Sequence, residues 1–111
     1  MPFSSLLAAR ITEIIRRRRG FCEKRMFGGI VWMLHDHLCF GVWKDSLIAR
    51  IGAEIQPAAL RQPGVSEFDI TGRPMRAWVM VGPEAIEDDE LLQAWLERCI
   101  EFVRRLPPKG E

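Results

Sequence analysis

Lys24-Arg25-Met26-Phe27-Gly28-Gly29-Ile30-Val31-Trp32-Met33-Leu34 is the stretch from which the fold is read. A paired glycine opens an apolar run, at a place where strand propensity alone would favour Val or Ile. The run from Gly28 to Leu34 is too short for a helix and rich in strand formers, so it predicts a strand. Gly28 and Gly29 bring no side chain, which permits a bulge or a close backbone approach where that strand starts.

Downstream, His35-Asp36-His37 interrupts the apolar pattern. Leu38, Phe40 and Val42 then alternate with Cys39, Gly41 and Trp43, which places Cys39 on the face opposite Leu38 and Phe40. Lys44-Asp45 interrupts again, and Leu47 to Ile51 follows. The pattern predicts a three-strand meander with two tight turns, one face buried and the other partly open. Upstream, Leu6, Leu7, Ile11, Ile14 and Ile15 recur at helical spacing. A helix is expected from Ser4 to Arg18, capped by Ser4 or Ser5, closed by Arg16 to Arg19 and stopped at Gly20.

Toward the C-terminus, Pro57 to Leu60 suits a short helix and Val65, Phe68 and Ile70 a short strand. Thr71-Gly72-Arg73-Pro74 reads as a turn, since Pro74 has no N–H for a ladder. Ala77 to Val81 reads as a strand with Trp78 and Met80 on one face and Val79 and Val81 on the other. The acids Glu84 to Glu90 precede the stripe Leu91, Leu92, Trp95, Leu96, Cys99, Ile100, Val103 and Leu106. This is the clearest 3.6-residue period in the chain, with Leu91 and Leu96 as expected core anchors. Pro107-Pro108 ends that helix. The whole chain, residues 1–111, reads as one domain with residues 106–111 as a flexible tail.

The 111 residues suffice for one core. An apolar share of 48% argues against disorder, and a formal charge of +1 gives no global attraction to nucleic acid or to an anionic membrane. Three widely spaced cysteines, Cys22, Cys39 and Cys99, suggest reduced thiols and a cytoplasmic setting. Neither a signal peptide nor a membrane-length apolar run is visible, so no membrane association is expected.

The motifs resemble the N-terminal domain of the TfoX/Sxy family. The resemblance rests on Lys24-Arg25-Met26-Phe27-Gly28-Gly29, Ala49-Arg50-Ile51-Gly52, Phe68, Thr71-Gly72-Arg73-Pro74-Met75, the strand Ala77 to Val81, and Leu106-Pro107-Pro108-Lys109. These blocks run in family order over nearly the whole chain. The resemblance implies an α+β fold like that of secretion chaperones, an antiparallel five-stranded sheet with helices in the order α-β-β-β-α-β-β-α. It implies a bacterial, non-enzymatic regulatory or protein-interaction domain without a cofactor. Some relatives regulate natural competence and carry a second, helical domain; this chain is expected to stand alone without it.

Five groups of residues bear on function. Arg25 with Gly28-Gly29, and Arg73 with Gly72, are placed to cradle an anion, or serve backbone geometry alone. The family-motif residues Met26, Phe27, Thr71, Pro74 and Met75 flank them. His35, Asp36 and His37 sit in a turn without the closely spaced cysteine pair a structural zinc site favours, and no metal is expected. With Arg25 and Arg73, His35 supports an alternative reading as a small enzyme or anion-binding protein. Cys22 lies near Lys24 and Arg25. Arg16, Arg17, Arg18 and Arg19 are the best candidates for nucleic-acid contact, although successive helical residues point around the axis and no known recognition motif accompanies them. Trp32, Trp43 and Trp78 fall on strands, and on an uncovered sheet face they would favour a protein partner or self-association.

Overall fold

The computed structural model describes residues 3–26, 28–69 and 75–107. Among them the order is α1 (Ser5–Ile15), β1 (Phe21–Met26), β2 (Gly29–Leu34), β3 (His37–Trp43), β4 (Ser46–Arg50), α2 (Gln56–Leu60), β5 (Val65–Glu67), β6 (Trp78–Val81), a 3₁₀ turn (Pro83–Ile86) and α3 (Asp89–Arg104). The fold is α+β, and the strands form one antiparallel sheet ordered β1-β2-β3-β4-β6-β5.

The sheet has six strands, which corrects the five expected. The additional strand is β1, Phe21-Cys22-Glu23-Lys24-Arg25-Met26, and the meander has four strands instead of three. Its central residues are exposed, so it carries neither an apolar run nor apolar–polar alternation. Its strand character comes from its backbone register against β2, from Phe21 opposite Leu34 to Met26 opposite Gly29.

That register assigns different tasks to the two glycines. Gly28 has φ +76°, with open space where a side chain would stand. Gly29 begins β2 with an ordinary φ, but a Cβ there would collide with the Val42 carbonyl oxygen on β3. The next hairpin turns through His35 and Asp36, both with positive φ, so that Leu34 pairs with His37. Two left-handed residues match the twist of the flanking strands. A register shift between Trp32 and Met33 then bends β3. Cys39 and Phe40 are consequently both fully buried in the same core, against the simple alternation expected.

All three helices cover one face of the sheet. Leu7, Ile11 and Ile15 of α1 and Ala59 of α2 join the core built on Trp32, Phe40, Val42, Leu47, Ala49, Val79 and Val81. From α3 come Leu92, Trp95, Leu96, Cys99, Ile100 and Val103. Ser4 caps α1 by accepting the Leu7 N–H at 3.1 Å, and Asp88 caps α3 by accepting the Leu91 N–H at 2.9 Å. α1 closes three residues short of the expected Arg18, through an Arg18 N–H to Ile15 carbonyl bond of 2.8 Å. Leu91 is 44% exposed, so only Leu96 of the two expected anchors is buried. Leu91 lies in the first turn of α3, one residue ahead of the true stripe.

Leu96→Ala is expected to cost about 2–5 kcal/mol in chemical denaturation, and Leu91→Ala less than about 1 kcal/mol. Gly28→Ala should cost about 1 kcal/mol through its left-handed φ. Gly29→Ala should cost more, about 2–3 kcal/mol, since relieving its collision requires backbone movement. Equal midpoints for the two glycine variants would remove the distinction drawn between them.

Candidate functional site

Two surfaces stand out, one cationic and one apolar. The first is a cleft where the end of α1, the start of β1, the β2–β3 turn and α3 meet. Arg18, Arg19, His35, Glu97 and Arg104 line it over a floor of Phe21, Leu34 and Ile100, around a volume of about 620 Å³. The sequence stops α1 early and lets the chain turn at Gly20, φ +93°, which delivers Arg18 and Arg19 to the cleft. The His35 N–H donates to the Gly20 carbonyl at 3.1 Å. Its ring lies over the bare Gly20 backbone, where an added Cβ would come within 2.6 Å of Cε1.

Across the cleft, Arg18 donates from both terminal nitrogens to the two carboxylate oxygens of Glu97. This two-point pair has a counterpart at the other end of the helices. Arg10 Nε donates to Asp89 at 2.9 Å, while its Nη2 reaches the Ile86 carbonyl at 2.8 Å and the Glu87 carbonyl at 3.4 Å. The arginines are eight positions apart and so are their acids, so α1 and α3 run parallel. Neither pairing was legible in advance, because each joins residues 79 positions apart.

The four-arginine run therefore does not act as one block. Arg16 pairs with Glu13 at 3.4 Å on the exposed side of α1, and Arg18 pairs with Glu97. Only Arg18 and Arg19 of the four line the cleft. Arg25, on the outer strand, sets its guanidinium 5.4 Å from the centre of the Phe3 ring. Met26 ends that strand half-buried. Phe27, Thr71, Gly72, Arg73 and Pro74 lie outside the described residues. Met75 is exposed and its N–H donates to the Phe68 carbonyl at 3.2 Å. His37 Nε2 lies 2.8 Å from the Pro107 carbonyl. Among the described residues no three His, Cys, Asp or Glu side chains gather as metal ligands.

The second surface is the sheet face away from the helices. Ile48, Phe68 and Trp78 form a small buried cluster there, with half-buried Leu38, Trp43, Ala77 and Met80 packed around it. No helix residue belongs to that cluster among the described residues. The three strand tryptophans divide between the faces: Trp32 joins the helix-covered core, whereas Trp43 and Trp78 belong to this one. Lys44 Nζ stands 4.6 Å from the centre of the Trp43 ring. Arg50 closes one end of this face. Its guanidinium lies 5.8 Å from the Trp78 ring centre and 5.6 Å from that of Phe102, and its Nη1 donates to the Leu38 carbonyl at 3.0 Å. Its Nε is buried without a hydrogen-bond partner among the described residues, and the two ring faces offset part of that cost.

Cys22 is exposed, whereas Cys39 and Cys99 are completely buried. Burial pushes the Cys39 thiol up to about 12, against a downward pull from Arg50. Burial also holds the Cys99 thiol well above its ordinary range, with Cys39 adding to the rise. In the unfolded chain both thiols ionise near 9.0. Their neutral forms therefore stabilise the fold fully below that pH, and the contribution is lost as pH rises toward the folded values. Stability should fall from about pH 9 upward, by at most about 1.4 kcal/mol per pH unit for each buried thiol. Denaturant titrations should show this slope, and Cys99→Ala should reduce it. An identical slope in the variant would separate Cys99 from the effect.

Residues 13–103 match the family model of the TfoX N-terminal domain, which bears out the resemblance read from the motifs. No curated protein and no solved structure is significantly similar to the chain. Among the described residues no helix is long and apolar enough to cross a membrane.

Proposed function

The chain belongs to the TfoX N-terminal domain family, and on that premise we propose that it is a regulatory interaction domain whose protein partner docks on the sheet face opposite the helices. Family membership favours such a role over catalysis. The observation that carries the docking surface is the cluster of Ile48, Phe68 and Trp78, rimmed by half-buried Leu38, Trp43 and Met80, with no helix residue in it among the described residues. Aromatic and methionine side chains of this kind are enriched at the cores of protein interfaces. The aromatic rings provide apolar area at small entropic cost, while Lys44 and Arg50 supply charge at two margins of the same face. The reduced state of Cys22, Cys39 and Cys99 fits a cytoplasmic location for this activity.

Trp43→Ala and Met80→Ala test the surface. Both side chains are only half-buried, so each change should cost about 1–2 kcal/mol of stability. Each should weaken capture of the wild-type partner from a cell lysate by about tenfold or more. Folded variants that capture the same protein with wild-type affinity would reject the docking face.

A further inference from the structure

The cleft at the end of α1 is separate from the sheet face and has different chemistry. We propose that it binds a small phosphate monoester with an aromatic or alkyl body. Its volume of about 620 Å³ falls within the usual range for small-ligand pockets. Its rim carries three guanidinium groups, from Arg18, Arg19 and Arg104, against the single carboxylate of Glu97. Glu97 is already matched by the two-point pair with Arg18. Arg19 and Arg104 form no ion pair among the described residues, which leaves a surplus of two positive charges facing the cleft.

A phosphate monoester is close to a dianion at neutral pH and presents three oxygens to such donors. Guanidinium groups match phosphate geometry with paired N–H donors. The His35 ring, steadied on the bare backbone of Gly20, adds a nitrogen-bearing wall next to Arg19. The floor decides between ligand classes. Phe21 is half-buried and leaves apolar surface in the floor beside the almost completely buried Leu34 and Ile100, and a bare inorganic anion would leave that surface unused. A nucleic-acid backbone would draw on a continuous run of cations. Here the run is broken: Arg16 is paired with Glu13, and neither Arg16 nor Arg17 lines the cleft. The arrangement fits one charged head over a short apolar body.

The test is an NMR titration of the intact chain with phenyl phosphate, run beside inorganic phosphate, phenol and a short single-stranded oligonucleotide. Phenyl phosphate should shift the amide signals of Phe21, Leu34, His35 and Ile100 saturably, and bind about tenfold tighter than inorganic phosphate. Phenol should leave them unmoved. The double variant Arg19→Gln, Arg104→Gln changes two exposed side chains and should keep the wild-type spectrum elsewhere, while losing at least about tenfold in phenyl phosphate affinity. Absence of any shift at about 10 mM phenyl phosphate, or full affinity in the folded double variant, would overturn the proposal. Tighter binding of the oligonucleotide, weakened also by Arg16→Gln and Arg17→Gln, would overturn it in favour of a nucleic-acid surface.

Discussion

The packing of α3 against the two central strands is the contact on which the rest of the molecule depends. Phe40 and Val42 of β3, with Leu47 and Ala49 of β4, present an almost completely buried surface. Leu92, Leu96, Cys99 and Val103 of α3 meet the same core at helical spacing. Ala49 keeps that surface low, so the helix can lie close to the sheet without a ridge of branched side chains between them. Burial of this kind contributes about 25 cal/mol for each Å² of apolar surface removed from water, so the middle of the sheet provides far more than its edges. The outer strand β1 has almost no buried side chain of its own and is held by its backbone bonds to β2. Its Glu23, Lys24 and Arg25 also give the free edge a charged character, which discourages pairing with another chain.

Elements whose burial is periodic were legible in the sequence. The stripe of α3 and the alternation of Trp78, Val79, Met80 and Val81 needed only the helix and strand periods. β1 escaped because an edge strand that buries little leaves no periodic trace. The shared burial of Cys39 and Phe40 escaped because a bulge changes side-chain direction without altering composition. Leu91 failed in the opposite sense: it continues the stripe by type, but it stands one position ahead of Leu92 and Trp95 on the helix and so turns away from the sheet. The family motifs led to the right family, yet the cleft lies largely outside them. Its arrangement depends on where α1 stops and on an Arg–Glu pair that closes over most of the chain.

The two surfaces show how one scaffold keeps unlike chemistries apart. The helices take one side of the sheet, and the apolar face of Ile48, Phe68 and Trp78 is what their one-sided packing leaves. The cationic cleft lies at an end of the helix layer, where two helix termini and a hairpin converge. Positive side chains suit that position electrostatically, because the C-terminal end of a helix carries partial negative charge. The apolar floor below them is a margin of the main core, since Leu34 and Ile100 are both almost completely buried. A ligand seated there would rest on rigid packing rather than on a loose loop.

The parallel pairing of the first and last helices also bears on the order in which the chain assembles. Arg10 and Arg18 find their acidic partners only in the final quarter of the sequence. During synthesis from the N-terminus, α1 emerges first and must wait, with Leu7, Ile11 and Ile15 still wet, until the residues around Asp89 and Glu97 have been made. Closing so long a loop is entropically costly before any contact repays it, which makes this strap a late event in maturation.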